Sequence, residues 1–471
     1  MPSASDPFLP LGDLFARVPP GRLALVHCDQ RWSFGDLDRR SAALAQWLSG
    51  RGVLGDDLVA FALPNGPDFL ALAFAIYRCG ATPAPLSPKL AEAERAAILT
   101  TMNPRCFVAE SDLPPSAADT PAPLPPLHVA ASWKACTSGG STGRPKVIVD
   151  GRPAGFAAAT EFIAIPRDSQ VLVPGPLYHN APFSAAVFAL WRGNCVVTMP
   201  RFDAAEALDL IARERLSWAI MVPTMLHRIM ALPAAQRDRY DLSAWQTVVH
   251  TAAPMAPWLK QAWIEWRGAD HIWEVYGATE GLVRCWIGGA EWRERPGSVG
   301  RPLGGARLRI TAPDGSEVPP GELGEVYAMP AGGPGTSYRY IGAERRMIEG
   351  GWESVGDMGW VDAQGYLFLS DRKDDLIITG GINVWPAEVE AALLSHPDIA
   401  SCAVYGVAAG DLGAAVHAVI ETTADLTVEG LSAFLETRIA KAKHPRSITL
   451  TPSPVRDDAG KFRKPRATEI L

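Results

Sequence analysis

The chain is poor in cysteine and in lysine. Seven cysteines are scattered over 471 residues without a C-x-x-C pair, which excludes a disulfide framework and offers no zinc-ligand spacing. Only nine of the 44 basic residues are lysine, so a lysine inside a glycine-rich motif stands out. Positive charge is not in excess. A net charge of −7 argues against nucleic acid as a partner, since that surface needs clustered Lys and Arg. The most apolar stretch, residues 58–79, is broken by Pro64, Asn65, Pro67 and Asp68. No run reaches about 18 uninterrupted apolar residues, so no membrane span is expected. Residues 1–14 lack the charged-then-apolar order of a secretion signal. With the unpaired thiols, this points to the cytoplasm.

What is present describes a folded enzyme-sized chain: 48% hydrophobic and 20% charged, long enough for about two to four structural units. Residues 36–48 are apolar at helical spacing through Leu37, Ala42, Leu44 and Leu48, residues 58–63 read as a buried strand, and residues 68–77 as another helix. That alternation predicts an α/β fold, parallel strands layered with helices. Six prolines mark residues 113–127 as a loop. After a charged segment at 372–375 a smaller α/β unit begins. It has a helix opened by Pro386, strands at 401–407 and 414–421, a helix at 431–443 and a last strand at 447–451.

Three glycine motifs invite chemistry. Gly50-Arg-Gly-Val-Leu-Gly55 matches G-x-G-x-x-G, but a helix precedes it where a dinucleotide site needs a strand, so it reads as a helix stop. Gly139-Gly-Ser-Thr-Gly143 matches the G-x-S-x-G of α/β serine hydrolases, with Ser141 as nucleophile. That elbow runs into a helix, whereas Val147-Ile-Val149 reads as a strand. The whole segment, Thr137 to Lys146, also suits a phosphate cradle. Glycines let backbone N–H groups face phosphate oxygens, the hydroxyls of Thr137, Ser138, Ser141 and Thr142 donate further bonds, and Lys146 adds charge.

Read with what lies downstream, this loop resembles the phosphate loop of the acyl-adenylate-forming superfamily, which includes acyl- and aryl-CoA ligases, luciferases and peptide-synthetase adenylation domains. Four more segments are similar to its signatures, in the same order. Tyr276-Gly-Ala-Thr-Glu280 resembles the nucleotide and magnesium motif, and Gly356-Asp357 the ribose motif. Residues 371–381 resemble the hinge segment, and Gly460-Lys461 the catalytic-lysine motif.

The resemblance implies a large N-terminal α/β domain (1–371), a hinge (372–375) and a small mobile C-terminal α/β domain (376–471). It implies attack of a carboxylate on the α-phosphate of Mg-ATP, giving an acyl-adenylate and pyrophosphate, then displacement of AMP by a thiol. Coenzyme A is the expected acceptor. A separate carrier protein, an amine or nitrite stays open. Lys461 would supply positive charge where two anions meet. Thr137, Ser138, Gly139, Gly140, Ser141, Thr142, Gly143 and Lys146 would surround the phosphates. Ala252, Ala253, Pro254, Glu274, Tyr276 and Gly277 would border the nucleotide, with Tyr276 stacked on adenine. Thr279 would hold the α-phosphate and Glu280 the magnesium ion. Asp357 would accept both ribose hydroxyls, aided by Arg372. Asp374 falls at the hinge, and Gly380 and Gly381 would let a pantetheine thiol pass in a tunnel.

For the acid, the resemblance implies a pocket of His179, Asn180, Ala181, Phe183, Ala185 and Val222, with His179 at its edge. Amino-acid-activating relatives carry an aspartate at the position of Asn180, so an amino-acid substrate is disfavoured. The doubled glycine at 139–140 and the His179-Asn180 pair resemble the aryl-acid branch. The small Ala181 and Ala185 leave room for a substituted aryl or arylalkenoic acid, or a medium apolar chain.

Overall fold

The structure, a computed structural model, describes residues 6–115, 128–138, 145–410, 413–457 and 460–462. At its centre six parallel strands lie side by side, in the spatial order Leu23–His27, Cys195–Thr198, Gln170–Val173, Trp218–Met221, Thr247–His250 and Ile272–Gly277. Every residue of Cys195–Thr198 and Trp218–Met221 is buried. Such unbroken apolar runs mark strands covered on both faces. Helices such as Asn180–Trp191, Ala204–Arg213, Pro223–Ala231 and Pro257–Arg267 provide that cover. In open parallel sheets, ligands gather beyond the carboxyl ends of the strands.

Past Gly277 the chain doubles back. Arg284–Gly288 pairs antiparallel to Ile272–Gly277, and further antiparallel strands extend the sheet to Asp357–Val361 and Leu367–Arg372. A three-stranded parallel sheet, with Leu58–Ala62 between Thr82–Pro85 and Cys106–Ala109, lies beside the main one. A third sheet joins Ala135–Ser138, Lys146–Asp150 and Tyr338–Ile341, all antiparallel.

The helix expected at 36–48 runs Phe34–Gly50. Ser33 and Asp36 form a reciprocal capping box that starts it earlier. It stops at Gly50, as expected of a helix end rather than a dinucleotide turn. Ser138 pairs with Lys146 across two antiparallel strands, so the glycine-rich segment links strand to strand. This corrects the hydrolase alternative for Ser141, because a nucleophile elbow needs a strand running into a helix. Gly139, Gly140, Ser141, Thr142 and Gly143 themselves lie outside the described residues.

Beyond Arg372 the chain makes a turn at Lys373–Asp375, then a hairpin of Ile377–Thr379 with Ile382–Val384. Both hairpin-loop residues, Gly380 and Gly381, have positive φ, 55° and 83°, the geometry of a tight two-residue turn. The following residues build a separate apolar core around Val389, Leu393, Val404, Ile420, Leu431 and Leu435. Its second helix is Val428–Glu436, not 431–443. The Thr427 side chain accepts from the Gly430 N–H and starts the helix earlier, and residues 441–443 form only a 3-10 turn. Among the described residues, no helix is long and apolar enough to cross a membrane.

Candidate active site

Four segments that are far apart in sequence converge beyond the carboxyl end of Ile272–Gly277. The first is the hairpin after Ala135. Lys146 Nζ lies 3.3 Å from Glu280 Oε1 and 3.0 Å from the Tyr340 hydroxyl, and that hydroxyl donates to the same Glu280 oxygen at 2.6 Å. Burial and the Glu280 carboxylate raise the Tyr340 phenol far above its ordinary range, so it stays a donor. Tyr340 was missed because only the pairing of Tyr338–Ile341 with Lys146–Asp150 brings it here. Glu280 is 6% exposed. Its Oε2 has no protein partner among the described residues. A hydrated magnesium ion needs only one or two carboxylates beside phosphate oxygens, so this single free oxygen fits it. No three-residue metal cluster occurs among the described residues.

The second and third segments meet at Tyr276 and Asp357. The Tyr276 hydroxyl donates to Asp357 Oδ2 at 2.6 Å, and Arg372 Nε lies 3.6 Å from Asp357 Oδ1. Burial, then Asp357, push the Tyr276 phenol well up, which keeps it protonated. Asp357 and Arg372 face each other in the ladder of their two strands. The loop of Ala252, Ala253 and Pro254 follows Thr247–His250, the strand parallel to Ile272–Gly277. Ala252 has φ +75°, a conformation that costs a non-glycine residue on the order of 1–3 kcal/mol. The Thr251 hydroxyl, bonded to Val275 O at 2.8 Å, holds the loop against the Tyr276 strand. Thr137, Gly277 and Thr279 are half-buried.

The fourth segment carries Lys461. Its backbone N–H donates to Asp457 Oδ1 at 2.9 Å. Lys461 keeps accessible surface, yet the cleft walls desolvate it and lower its hold on the proton. Arg372 adds to this, while Asp457, Cys136 and Glu280 oppose it. Arg456, also missed, ties down the turn. It donates to Gly460 O at 3.0 Å and Cys402 O at 2.9 Å, and pairs with Glu390 at 2.7 Å. Gly460 has φ +73°, and a Cβ there would meet Thr224 Oγ1 at 3.3 Å and Val222 Cγ2 at 3.5 Å. The turn therefore seats on the start of Pro223–Ala231, and Val222 lies under it.

His179 caps the helix Asn180–Trp191, with Asn180 and Ala181 half-buried in its first turn. Phe183 and Ala185, expected in the acid pocket, are fully buried, and Phe183 packs on Trp133 and Phe69, because this nearly all-apolar helix dives into the core after one turn. Glu274, expected to border the nucleotide, is buried. It accepts from Lys260 Nζ at 2.5 Å, with His250 Nε2 at 3.5 Å, so its carboxylate serves a buried ion pair. Asp374 is exposed in the turn Lys373–Asp375. Gly381 has open space around it.

This chain belongs to the AMP-binding enzyme family. The family matches residues 13–135 and 134–340, and the AMP-binding enzyme C-terminal domain matches residues 388–461. It is 31% identical to a feruloyl-CoA synthase from an Amycolatopsis species, over 95% of this chain and 96% of that one. It is 29% identical to the indoleacetate–CoA ligase of Aromatoleum aromaticum, over 98% and 97%. In fold it resembles o-succinylbenzoate CoA synthetase of Bacillus subtilis in complex with its acyl-adenylate intermediate, with TM-score 0.79 and 23% identity over 97% of both chains. An anthranilate CoA ligase bound to anthranoyl-AMP gives TM-score 0.79 at 22% identity, over 98% and 97%. The mixed α/β fold expected from the sequence is the fold of these enzymes.

Proposed function

We infer that the protein is an AMP-forming acid–CoA ligase. It converts a carboxylic acid and ATP into an acyl-adenylate and pyrophosphate, then passes the acyl group to the thiol of coenzyme A with release of AMP. The observation that supports this reading is the seating of the Gly460-Lys461 turn, from the small C-terminal unit, on Val222 and Thr224 of the large one, with Arg372 and Glu280 within electrostatic range of Lys461. A carboxylate and a phosphate repel each other, and a fixed cation between them favours the transition state most, because charge is shared there.

In this reading Tyr276 and the Ala252–Pro254 loop bracket adenine, and Asp357 with Arg372 takes the ribose hydroxyls. Thr137, Thr279, Lys146 and the glycine-rich segment hold the phosphates. Magnesium, when bound, neutralises phosphate charge, and Glu280 would hold it. His179 guards the edge of the acid pocket, which Asn180, Ala181 and Val222 help to form. The turn at 372–375, with Asp374, serves as the hinge, and rotation about it exchanges Lys461 for the Gly380-Gly381 hairpin loop. Ile378 and Ile382 on that hairpin are exposed in the pose seen here.

The relatives named for aromatic acids support an aryl or arylalkenoic acid over an apolar chain. The seven free thiols suit the cytoplasm. Pyrophosphate release with Mg-ATP, across aryl, arylalkenoic and fatty acids with and without coenzyme A, tests the reading. Acid-dependent release with a thioester product is expected. Release indifferent to coenzyme A would move the acceptor to a carrier protein or another nucleophile, and no release with any acid would count against the reading.

A further inference from the structure

Tyr340 has no role in the reaction as described above, yet it touches two of the charged groups that do. Its hydroxyl donates to Glu280 Oε1 at 2.6 Å and accepts from Lys146 Nζ at 3.0 Å, and Lys146 Nζ lies 3.3 Å from the same carboxylate oxygen. The three groups close a triangle. The ammonium also stands 4.4 Å over the Tyr340 ring, because Lys146 lies diagonally across the ladder from Tyr340, whose opposite residue is Ile148. The buried Tyr338 ring meets the Tyr340 ring edge-on at 4.8 Å and supports it from the other side.

The triangle treats the two oxygens of Glu280 differently. Oε1 carries both donors, while Oε2 has no partner among the described residues. A carboxylate this buried is costly without a positive partner, and in the triangle Lys146 is that partner. Lys146 also belongs to the segment proposed to receive the phosphates, and its side chain keeps 29% of its surface exposed, so it can turn toward them. A triphosphate carries more negative charge than one carboxylate and draws the ammonium away. Glu280 then needs a second cation. The Tyr340 bond survives that exchange, because a neutral hydroxyl neither follows the phosphates nor repels an incoming cation.

We propose that Tyr340 is a positioning residue for magnesium: it holds Glu280 Oε1, and so keeps Oε2 open to the metal, after Lys146 has left for the phosphates. The proposal rests on the nucleotide placement of the acid–CoA ligase reading and makes nucleotide and metal binding depend on each other. Without nucleotide, Lys146 sits on Glu280 and disfavours another cation beside it. Without metal, moving Lys146 strands a buried carboxylate. Each ligand therefore favours the other, by the reciprocity of linked equilibria.

The test is ATP binding by calorimetry in the absence of any acid, at saturating magnesium and in excess EDTA. It compares the wild type, Tyr340→Phe, Glu280→Gln and the double variant. Tyr340→Phe keeps the ring under Lys146 and loses only the hydroxyl. Magnesium should tighten ATP binding in the wild type, and Tyr340→Phe should lose about tenfold of that gain, the worth of one hydrogen bond to a charged group. In EDTA the same variant should bind ATP as well as the wild type or slightly better, because Lys146 has one partner fewer to leave. In the Glu280→Gln background, Tyr340→Phe should change nothing further. Equal weakening with and without magnesium, or effects that add in the double variant, would overturn the proposal and make Tyr340 a structural residue. The expected ATP data without pyrophosphate release for any acid would support it and overturn the ligase reading instead. Acid-dependent release with a thioester product, but no difference between Tyr340→Phe and the wild type in ATP binding, would do the reverse.

Discussion

The Tyr276 hydroxyl donates to Asp357 Oδ2 across 2.6 Å, although 81 residues separate them. The bond holds the carboxylate beside the ring proposed to carry adenine, and leaves Oδ1 to Arg372. Tyr276→Phe keeps the ring and loses the bond. It should raise the KM for ATP about three- to tenfold, the worth of one hydrogen bond to a charged group. Asp357→Ala should raise it further. Steady-state adenylation at varied ATP checks both, and an unchanged KM in Asp357→Ala would remove Asp357 from the nucleotide site.

Lys461→Ala should lower acid-dependent pyrophosphate release by about a hundredfold or more, while ATP binding falls far less. The ammonium is the active form, and desolvation lowers its pKa. Activity should therefore be lost as pH rises through a value below that of an ordinary lysine. Lys461→Arg stays charged and should shift that alkaline limb upward. A pH profile of the adenylation half-reaction decides, and a limb that does not move would exonerate Lys461.

Arg456 acts through another residue. It fastens the Gly460 carbonyl, and so the Lys461 turn, to Glu390 and Cys402 O. Arg456→Met should reduce adenylation kcat about tenfold with little change in KM. It should also destabilise the protein by about 3 kcal/mol, because Glu390 is left buried without its partner. The added change Glu390→Gln should restore most of the stability and little of the kcat. Recovery of both would make Arg456 a purely structural residue.

Rotation about Asp374 is tested by Asp374→Pro, which restricts the turn at Lys373–Asp375. Pyrophosphate release in the absence of coenzyme A should persist, while thioester formation falls by about tenfold or more. Equal loss of both half-reactions would argue against a hinge there.

His250 is fully buried, and burial, followed by nearby Lys260, depresses its pKa well below the ordinary histidine value. The folded state therefore keeps the ring neutral while the unfolded chain takes up a proton below about pH 6.5. Stability should fall with acidification by up to about 1.4 kcal/mol for each pH unit below that point. In His250→Met the slope of unfolding free energy against pH between 7 and 5 should be shallower by that amount. An identical slope would mean that the ring does not titrate on unfolding.

Much of this protein is legible in its amino-acid order, and the reason is local. Alternating apolar segments specify a layered α/β fold, because strands buried on both faces and amphipathic helices each need the other. Turn and glycine patterns are equally local, so Gly50 as a helix stop and the tight turn at Gly380-Gly381 follow from neighbours in the chain. The motif residues Lys146, Tyr276, Glu280, Asp357 and Lys461 can be named in the same way, since each sits in a short signature.

What only the tertiary structure decided is which groups meet. Strand register put Tyr340 on Glu280 and Asp357 under Tyr276. The plunge of the helix after His179 buried Phe183 and Ala185 in the core, and a neighbouring helix claimed Glu274 for Lys260. Lys134 has no motif around it. A single lysine ahead of an apolar strand becomes informative only when its ammonium proves to be buried beside Asn180. Pairing across strands and burial in a core depend on residues far apart in the chain, and no local pattern carries them.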